Sequence, residues 1–451
     1  MSDGPVHPHL DAALAGLAAE LDDRLAEADA ALAAGFPGER PGRQPVHTVY
    51  VPADAYAADL VPDWGARAAA AVARHPEEFA RLTAPDDGSS AETLSSLVRA
   101  KLTREPIEDL RIDFEDGYGT RPDEEEDAHV AAAAAALATA ERDGTGTPFR
   151  GIRCKSLEAP TRHRGLRTLG LFLGRLLEDG GTLDGFVVTL PKVTSVEQVE
   201  AMVLACSRLE ATLGLPEGAL RFEVQVETPQ SVLGPDGTAL VARMIHASAG
   251  RCSGLHYGTY DYSAFCGIAA EHQSLEHAVA DHAKLVMQAA AAGTGVRLSD
   301  GSTNILPVGE PAAVAAAWAL HLRLVRRSLA RGYYQGWDLH PAQLPTRFAA
   351  TYAFYREGFA GAAERLRRYT AGPDTAAGTG SAGSAGGGGG TASGDSADGA
   401  GVLDEPATAR ALADVVVRGT DCGAVTEAEV TAAGLDPQRL LVLARRTPDR
   451  G

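Results

Sequence analysis

DLRIDFEDG, Asp109 to Gly117, alternates along its length: Leu110, Ile112 and Phe114 point one way, Arg111, Asp113 and Glu115 the other. RFEVQVETP (Arg221–Pro229) repeats the pattern, with Phe222, Val224 and Val226 opposite Glu223, Gln225 and Glu227. In RGIRCKS (Arg150–Ser156), Ile152 and Cys154 oppose Arg153 and Lys155. These are strands with one apolar and one charged face. From residue 46 onward such strands alternate with longer amphipathic helices. Strands are expected at 46–51, 109–115, 149–155, 185–191, 221–227, 253–258, roughly 302–307, and 334–339. Eight strands in strict alternation with helices predict an α/β fold, a (β/α)8 barrel. A doubly wound open sheet is the alternative, but no G-x-G-x-x-G follows a strand, which leaves a dinucleotide site unsupported.

In a barrel the apolar strand faces pack on the outer helices, so the charged rows face the interior. A buried charge costs several kcal/mol unless it is paired or coordinated. Arg111, Glu223 and Lys155 read as a structural ion-pair network. Arg153, Asp116, Glu227 and Asp261 stand at or just beyond strand C-termini, where barrel active sites lie. Neighbouring strands are about 4.8 Å apart, so Glu227 after the fifth strand and Asp261 after the sixth can converge on one cation. Two carboxylates with room for waters and substrate oxygens suit Mg²⁺.

Other candidates read as structural. His272, His277 and His282 recur every five residues, turn about 140° per step on a helix, and read as solvated helix positions. His340, in WDLHPAQLP just past the last strand, either lines the pocket or holds the loop, the latter being the simpler reading. Thr194 and Glu197 have capping-box spacing, and Gly214 then Pro216 mark the end of that helix. The alanine run 131–140 reads as a surface helix.

Four segments are expected: an N-terminal helical extension (1–45), the barrel (46–370), a Gly/Ala/Ser linker (371–401) and a C-terminal helical segment (402–451). In the first, Leu10, Leu14, Leu17, Leu21 and Leu25 have helical spacing, outside the main fold. The linker composition is that of a flexible tether, and short helices are expected at 402–418 and 426–446. A net charge of −19 argues against nucleic acid or anionic lipid as partners. There is no membrane-length apolar run and no secretion signal, and the five cysteines lack paired or CxxC spacing. The expectation is a soluble cytoplasmic protein with reduced thiols.

Taken in order, TVYVPA, DFEDGYG, GIRCKS, GFVVTLPKVTSVEQV, VQVETPQSVL, GTYDYSAFCG and GWDLHPAQL resemble the motifs of the citrate lyase beta-subunit and malyl-CoA lyase superfamily, within the HpcH/HpaI aldolase group. The likeness runs over most of residues 46–418. It implies an oligomeric (β/α)8 barrel that uses Mg²⁺ to make or break a carbon–carbon bond next to a carboxylate. It further implies Glu227 and Asp261 as metal ligands, Arg153 as the oxyanion partner, and Asp113, Glu115 and Asp116 as orienting carboxylates. Arg153, Pro229 and His340 are the candidate substrate contacts, with Glu115 and Asp116 counted alongside Arg153 in the catalytic set. GVLDEPATARALADVV resembles the family's C-terminal lid, which makes Asp404 the acid/base aspartate. The chain departs from the pattern in its N-terminal extension, in an insertion around 70–108, in TYDYSAFCG at the metal aspartate, and in the lack of a CoA-binding signature.

The function expected is a Mg²⁺-dependent carbon–carbon lyase acting on a hydroxyacyl-CoA or related hydroxy acid, in a homo-oligomer. The alternatives are a pyruvate-type class II aldolase without CoA and a catalytically silent barrel serving as a binding subunit.

Overall fold

The computed structural model describes residues 8–84, 91–371 and 405–446. Its centre is one parallel sheet: β1 (His47–Pro52), β2 (Asp109–Asp113), β3 (Phe149–Arg153), β4 (Phe186–Leu190), β5 (Arg221–Val226), β6 (Cys252–Tyr257), β7 (Arg297–Ser299) and β8 (Gly336–Asp338). Each strand pairs with its sequence neighbour and β8 returns to β1. The ring closes through a bridge between Ser299 and Gln335. This is the (β/α)8 barrel that the alternation predicts.

The strand faces sort as their residues require. Ile112, Ile152, Val188, Phe222, Val224 and Leu255 are buried in the layer between sheet and helices. Inside the barrel, Arg111 reaches from β2 to β5 and donates to both oxygens of Glu223 at 3.1 Å. Glu223 also takes Thr189 at 2.5 Å and faces His256 at 2.8 Å, while Arg111 pairs with Asp109. A charge with this many partners is tolerable in the interior.

Lys155 does not join this network. β3 ends at Arg153, so alternation ends with it, and Lys155 turns outward to Glu126 (2.6 Å) in the helix Asp123–Arg142. The seventh strand also lies elsewhere than expected: the three residues of β7, Arg297, Leu298 and Ser299, precede the stretch 302–307, which forms a loop with Ile305 exposed. The alanine run is not purely a surface feature, since Ala133, Ala134, Ala138 and Ala140 are buried. Gln198, rather than Glu197, caps the helix Val196–Leu213 by accepting from the backbone of Thr194 and Ser195. Gly214 ends that helix at φ 68°. His277 is an N-cap, accepting from the Val279 N–H, rather than a solvated position.

The insertion around 70–108 lies between β1 and β2, where the helices Leu60–Arg74, Pro76–Thr83 and Ala91–Arg104 run. The N-terminal helix Pro8–Gly35 stands away from the barrel, with Leu10 to Leu32 exposed along it. All five cysteines are unpaired. No described helix is long and apolar enough to cross a membrane.

The C-terminal helices Pro406–Cys422, Glu427–Ala432 and Pro437–Leu443 pack on the long helix Leu344–Ala371. Tyr352 donates to the Cys422 carbonyl (3.1 Å), and Gly419 lies against Tyr355, so the two long helices run antiparallel. Arg418 donates to Gln44 and Arg446 to the Gly42 carbonyl, both just before β1. The described part of this segment therefore sits at the N-terminal end of the strands and does not cover the barrel mouth of the same chain. Asp404 lies outside the described residues.

Candidate active site

β2 delivers Asp113 to the mouth and β3 delivers Arg153 at the same level. Arg153 donates from Nε and Nη2 to the two Asp113 oxygens at 2.7 and 2.6 Å, a bidentate fork. The same oxygens accept the backbone N–H groups of Glu115 (3.0 Å) and Gly117 (2.9 Å), so one carboxylate fixes both the guanidinium and the loop after β2. A Cβ on Gly117 would stand 2.6 Å from Asp113 Oδ2, which explains the glycine. Tyr50 and Trp337 pack against each other, centroids 4.2 Å apart, on one side of the guanidinium, with ring centroids 4.8 and 5.5 Å from it. Burial works against the charge on Arg153, but Asp113 outweighs it and holds the pKa well above the usual arginine value.

Lys192 follows β4 with a left-handed backbone, φ 51°. Its backbone N–H donates to Glu227 Oε1 (2.7 Å). Its ammonium reaches Glu115 (2.8 Å), Asp116 (2.7 Å) and Asp261 (3.5 Å). Burial opposes that charge too, yet Glu227 and Glu115 raise the Lys192 pKa, so it stays an ammonium. Burial also works against Asp116 as an anion, but the Lys192 hydrogen bond holds its carboxyl below the ordinary value. Burial pushes Glu115 up, opposed by Arg153 and Lys192.

Glu227 is fully buried directly after β5, with Gln225 donating to its second oxygen at 2.5 Å. No cationic side chain among the described residues stands within ion-pair distance of it. Burial pushes its carboxyl up to about 8; Lys192 opposes the rise and Asp261 adds to it. Gly258, after β6, leaves room for it, since a Cβ there would stand 2.8 Å from Glu227 Oε2. Asp261, in the short helix Thr259–Phe265, is partly exposed and faces the same space.

The structure thus brings Arg153, Glu115, Asp116, Glu227 and Asp261 to one mouth. Pro229 starts a single helical turn at the rim. His340 caps the turn Pro341–Gln343 by accepting from the Ala342 N–H (3.1 Å), which gives it a structural task. Sequence reading gave no role to Lys192, Tyr50, Gln225 or Trp337. The Pro-Lys pair directly after β4 is the signal that could have found Lys192.

For a divalent cation, the donor set has two parts. Among the described residues no three or more His, Cys, Asp or Glu side chains form a ready-made metal cage. Glu227 and Asp261 nonetheless supply two carboxylates at a mouth where, among the described residues, Asp113, Glu115, Asp116, Glu227 and Asp261 face only Arg153 and Lys192 as cations. A hard cation that keeps several waters fits one or two carboxylates of this kind.

Fold and site together define a (β/α)8-barrel protein with an acidic mouth that clasps one arginine and one lysine. The chain belongs to the family described as Domain of unknown function (DUF6986), whose model matches residues 25–387 and 390–447. Among solved structures it is similar to Haloferax volcanii malate synthase, native at 3 mM glyoxylate (16% identity over 69% of this chain and 76% of that one, TM-score 0.46). The magnesium/glyoxylate complex of the same enzyme gives 15% identity over 67% and 74%, TM-score 0.43. An HpcH/HpaI aldolase/citrate lyase family protein from Burkholderia cenocepacia J2315 gives 16% identity over 62% and 91%, TM-score 0.35. No curated protein matches the sequence.

Proposed function

We propose that the protein is a Mg²⁺-dependent carbon–carbon lyase of the aldolase or Claisen type, acting on a hydroxy acid or its CoA thioester through an enolate. The observation that carries this reading is the pairing at one mouth of a buried Glu227, without an ion pair among the described residues, with a rigidly held Arg153. Glu227 and Asp261 would hold the metal, which when bound supplies Lewis-acid stabilisation of developing negative charge on a substrate oxygen.

The chain's own residues supply the rest. Asp113 fixes the plane of Arg153, so its remaining N–H groups meet a carboxylate or enolate oxygen without reorganising. Tyr50 and Trp337 keep water from one side of the guanidinium. Lys192 remains cationic and serves as an electrostatic anchor for Glu115 and Asp116 rather than as a base. Asp404 is the proposed acid/base, and it acts on the mouth of a neighbouring chain. The helix Pro406–Cys422 meets the N-terminal ends of the strands near Arg418, and the 13 residues from Gly419 back to Pro406 carry its start about 20 Å further from its own barrel mouth.

That same docking favours a second reading, a pyruvate-type aldolase that works without a C-terminal aspartate. The test is a substrate screen at fixed Mg²⁺ with malyl-CoA, citramalyl-CoA, acetyl-CoA plus glyoxylate, and pyruvate-derived hydroxy acids, each with and without EDTA. Metal-dependent turnover of a thioester supports the lyase, and turnover only of free hydroxy acids supports the second reading. No turnover and no metal binding by calorimetry would leave a silent barrel.

A further inference from the structure

At the opposite end of the barrel from Arg153, a cavity of about 540 Å³ opens beneath β6 and β7. Gly38, Arg40, His246, Gly250, Thr294 and Arg445 contribute to its wall, and Glu39 is its one carboxylate. Arg221, the first residue of β5, adjoins it by donating to the Gly250 carbonyl at 3.0 Å. Arg40 donates to the carbonyls of Cys252 (2.9 Å) and Gly250 (3.5 Å). Arg297, the first residue of β7, donates to the Gly42 carbonyl at 3.0 Å, and Arg446 donates to that same oxygen.

Arg40, Arg221 and Arg297 form no ion pair among the described residues; backbone carbonyls are their partners. The Nε–H of Arg221 is buried with no partner at all. The guanidiniums repel one another. Burial and then Arg221 bring Arg40 down to about 10; burial and then Arg446, Arg418 and Arg40 do the same to Arg297. The chain carries 60 acidic against 41 basic residues, so a concentration of unpaired arginines runs against its overall charge. Uncompensated like charges at a partly buried site destabilise the fold unless an anion joins them. Elsewhere this protein pairs such groups: Arg251, one strand-start away, has Glu210 on both terminal guanidinium nitrogens.

We propose that this basal cavity is a binding site for a small phosphorylated anion, with Arg40 and Arg445, which line it, as its cationic ligands and Arg221 adding positive charge at its edge. Guanidinium forks match phosphate oxygens, and the volume exceeds that of inorganic phosphate, which points to a phosphate or pyrophosphate ester. Two of the walls, residues 34–41 and 442–445, belong to the segments flanking the barrel, so occupancy ties both segments to the strand ends.

The probe is inorganic pyrophosphate, titrated calorimetrically into the full chain in EDTA at matched ionic strength, with acetate as a carboxylate control. One site per chain is expected for pyrophosphate and none for acetate. Arg40→Gln and Arg445→Gln, both outside the barrel strands, are each expected to weaken binding roughly tenfold or more. Arg153→Gln, at the far end, should leave it unchanged. Absence of pyrophosphate binding overturns the proposal, as does unchanged affinity in both basal variants when they melt like wild type. Loss of binding in Arg153→Gln alone would assign the anion to the mouth and equally overturn it. If a basal variant fails to fold, protection of Arg40 and Arg445 from an arginine-modifying dicarbonyl by pyrophosphate replaces it, and lack of protection refutes the site.

Discussion

Replacing Glu227 by glutamine should stabilise the metal-free protein, and the size of the gain should depend on pH. The Glu227 carboxyl titrates near 8 in the folded chain, against 4.5 for the ordinary group, because burial disfavours its charged form. Between these values the folded state holds a proton that the unfolded state has released. Stability contributed by this group is therefore present below about 4.5, is lost as pH rises, and is fully lost above about 8. The loss runs at about 1.4 kcal/mol per pH unit and reaches an upper bound of roughly 4–5 kcal/mol. Glutamine keeps the Lys192 N–H bonded through its carbonyl and has no charge to bury, at the cost of one Gln225 hydrogen bond, since the Gln225 oxygen is held by Arg153 and its amide faces position 227. Urea unfolding in EDTA at intervals from pH 5 to 9 reads the difference between the two proteins. Near-equality at pH 5 and a widening advantage for Glu227→Gln up to pH 8 are expected. With Mg²⁺ present the order should reverse, since ligand binding adds stability only to the chain that retains its carboxylate. A flat difference across the range would refute the buried, uncompensated carboxylate on which the metal assignment rests.

Arg153→Lys should cost roughly ten- to a hundredfold in turnover per folded molecule, because a point charge replaces a fork held flat by Asp113; kinetics read beside thermal melts separate this from lost stability. Gly258→Ala should destabilise by about 1–3 kcal/mol and weaken Mg²⁺ binding together, since the added methyl meets the Glu227 carboxylate; calorimetry and melting report both. Truncation after Thr370 should lower the melting temperature and promote aggregation, because it uncovers Tyr352, Tyr355 and Leu366; light scattering during a melt checks it. Asp404→Asn and Arg153→Lys chains, each impaired alone, should regain turnover when co-refolded, if Asp404 serves a neighbour's mouth.

Much of this was legible in the linear sequence because the barrel imposes a two-residue period on chemistry as well as on hydrophobicity. Arg111, Asp113, Glu223 and Gln225 could be turned inward on paper, and they are inward. Strand ends were harder. Lys155 looks like the next member of the Arg153 row, but pairing stops one residue earlier and the side chain is released to Glu126. β7 lies before the expected stretch because Arg297, Leu298 and Ser299, three residues with a single apolar side chain, make a strand only when Gly254 to His256 offer them an edge, which no local pattern records. At the mouth, carboxylates and Arg153 announced themselves by charge in an apolar context. Lys192 sits beside a proline in what reads as a loop, and Tyr50 and Trp337 read as ordinary core residues. Their meaning depends on strands that meet only in three dimensions.

The closure between β7 and β8 has a mechanical consequence. Seven of the barrel's junctions are ladders, but this one has one isolated bridge, backbone bonds from Asp300 to Gln335 and from Trp337 to Gly301, and side chains that reinforce them: Gln44 spans Leu298 and Gln335, and Gln335 continues to Thr48. Gln44 also receives Arg418 from the C-terminal helices. The barrel is thus laced shut by residues from both of its flanking segments, and a tug on either one is felt first at this seam. Of the eight junctions this is the one with the shortest backbone pairing, and the two flanking segments supply side chains to it.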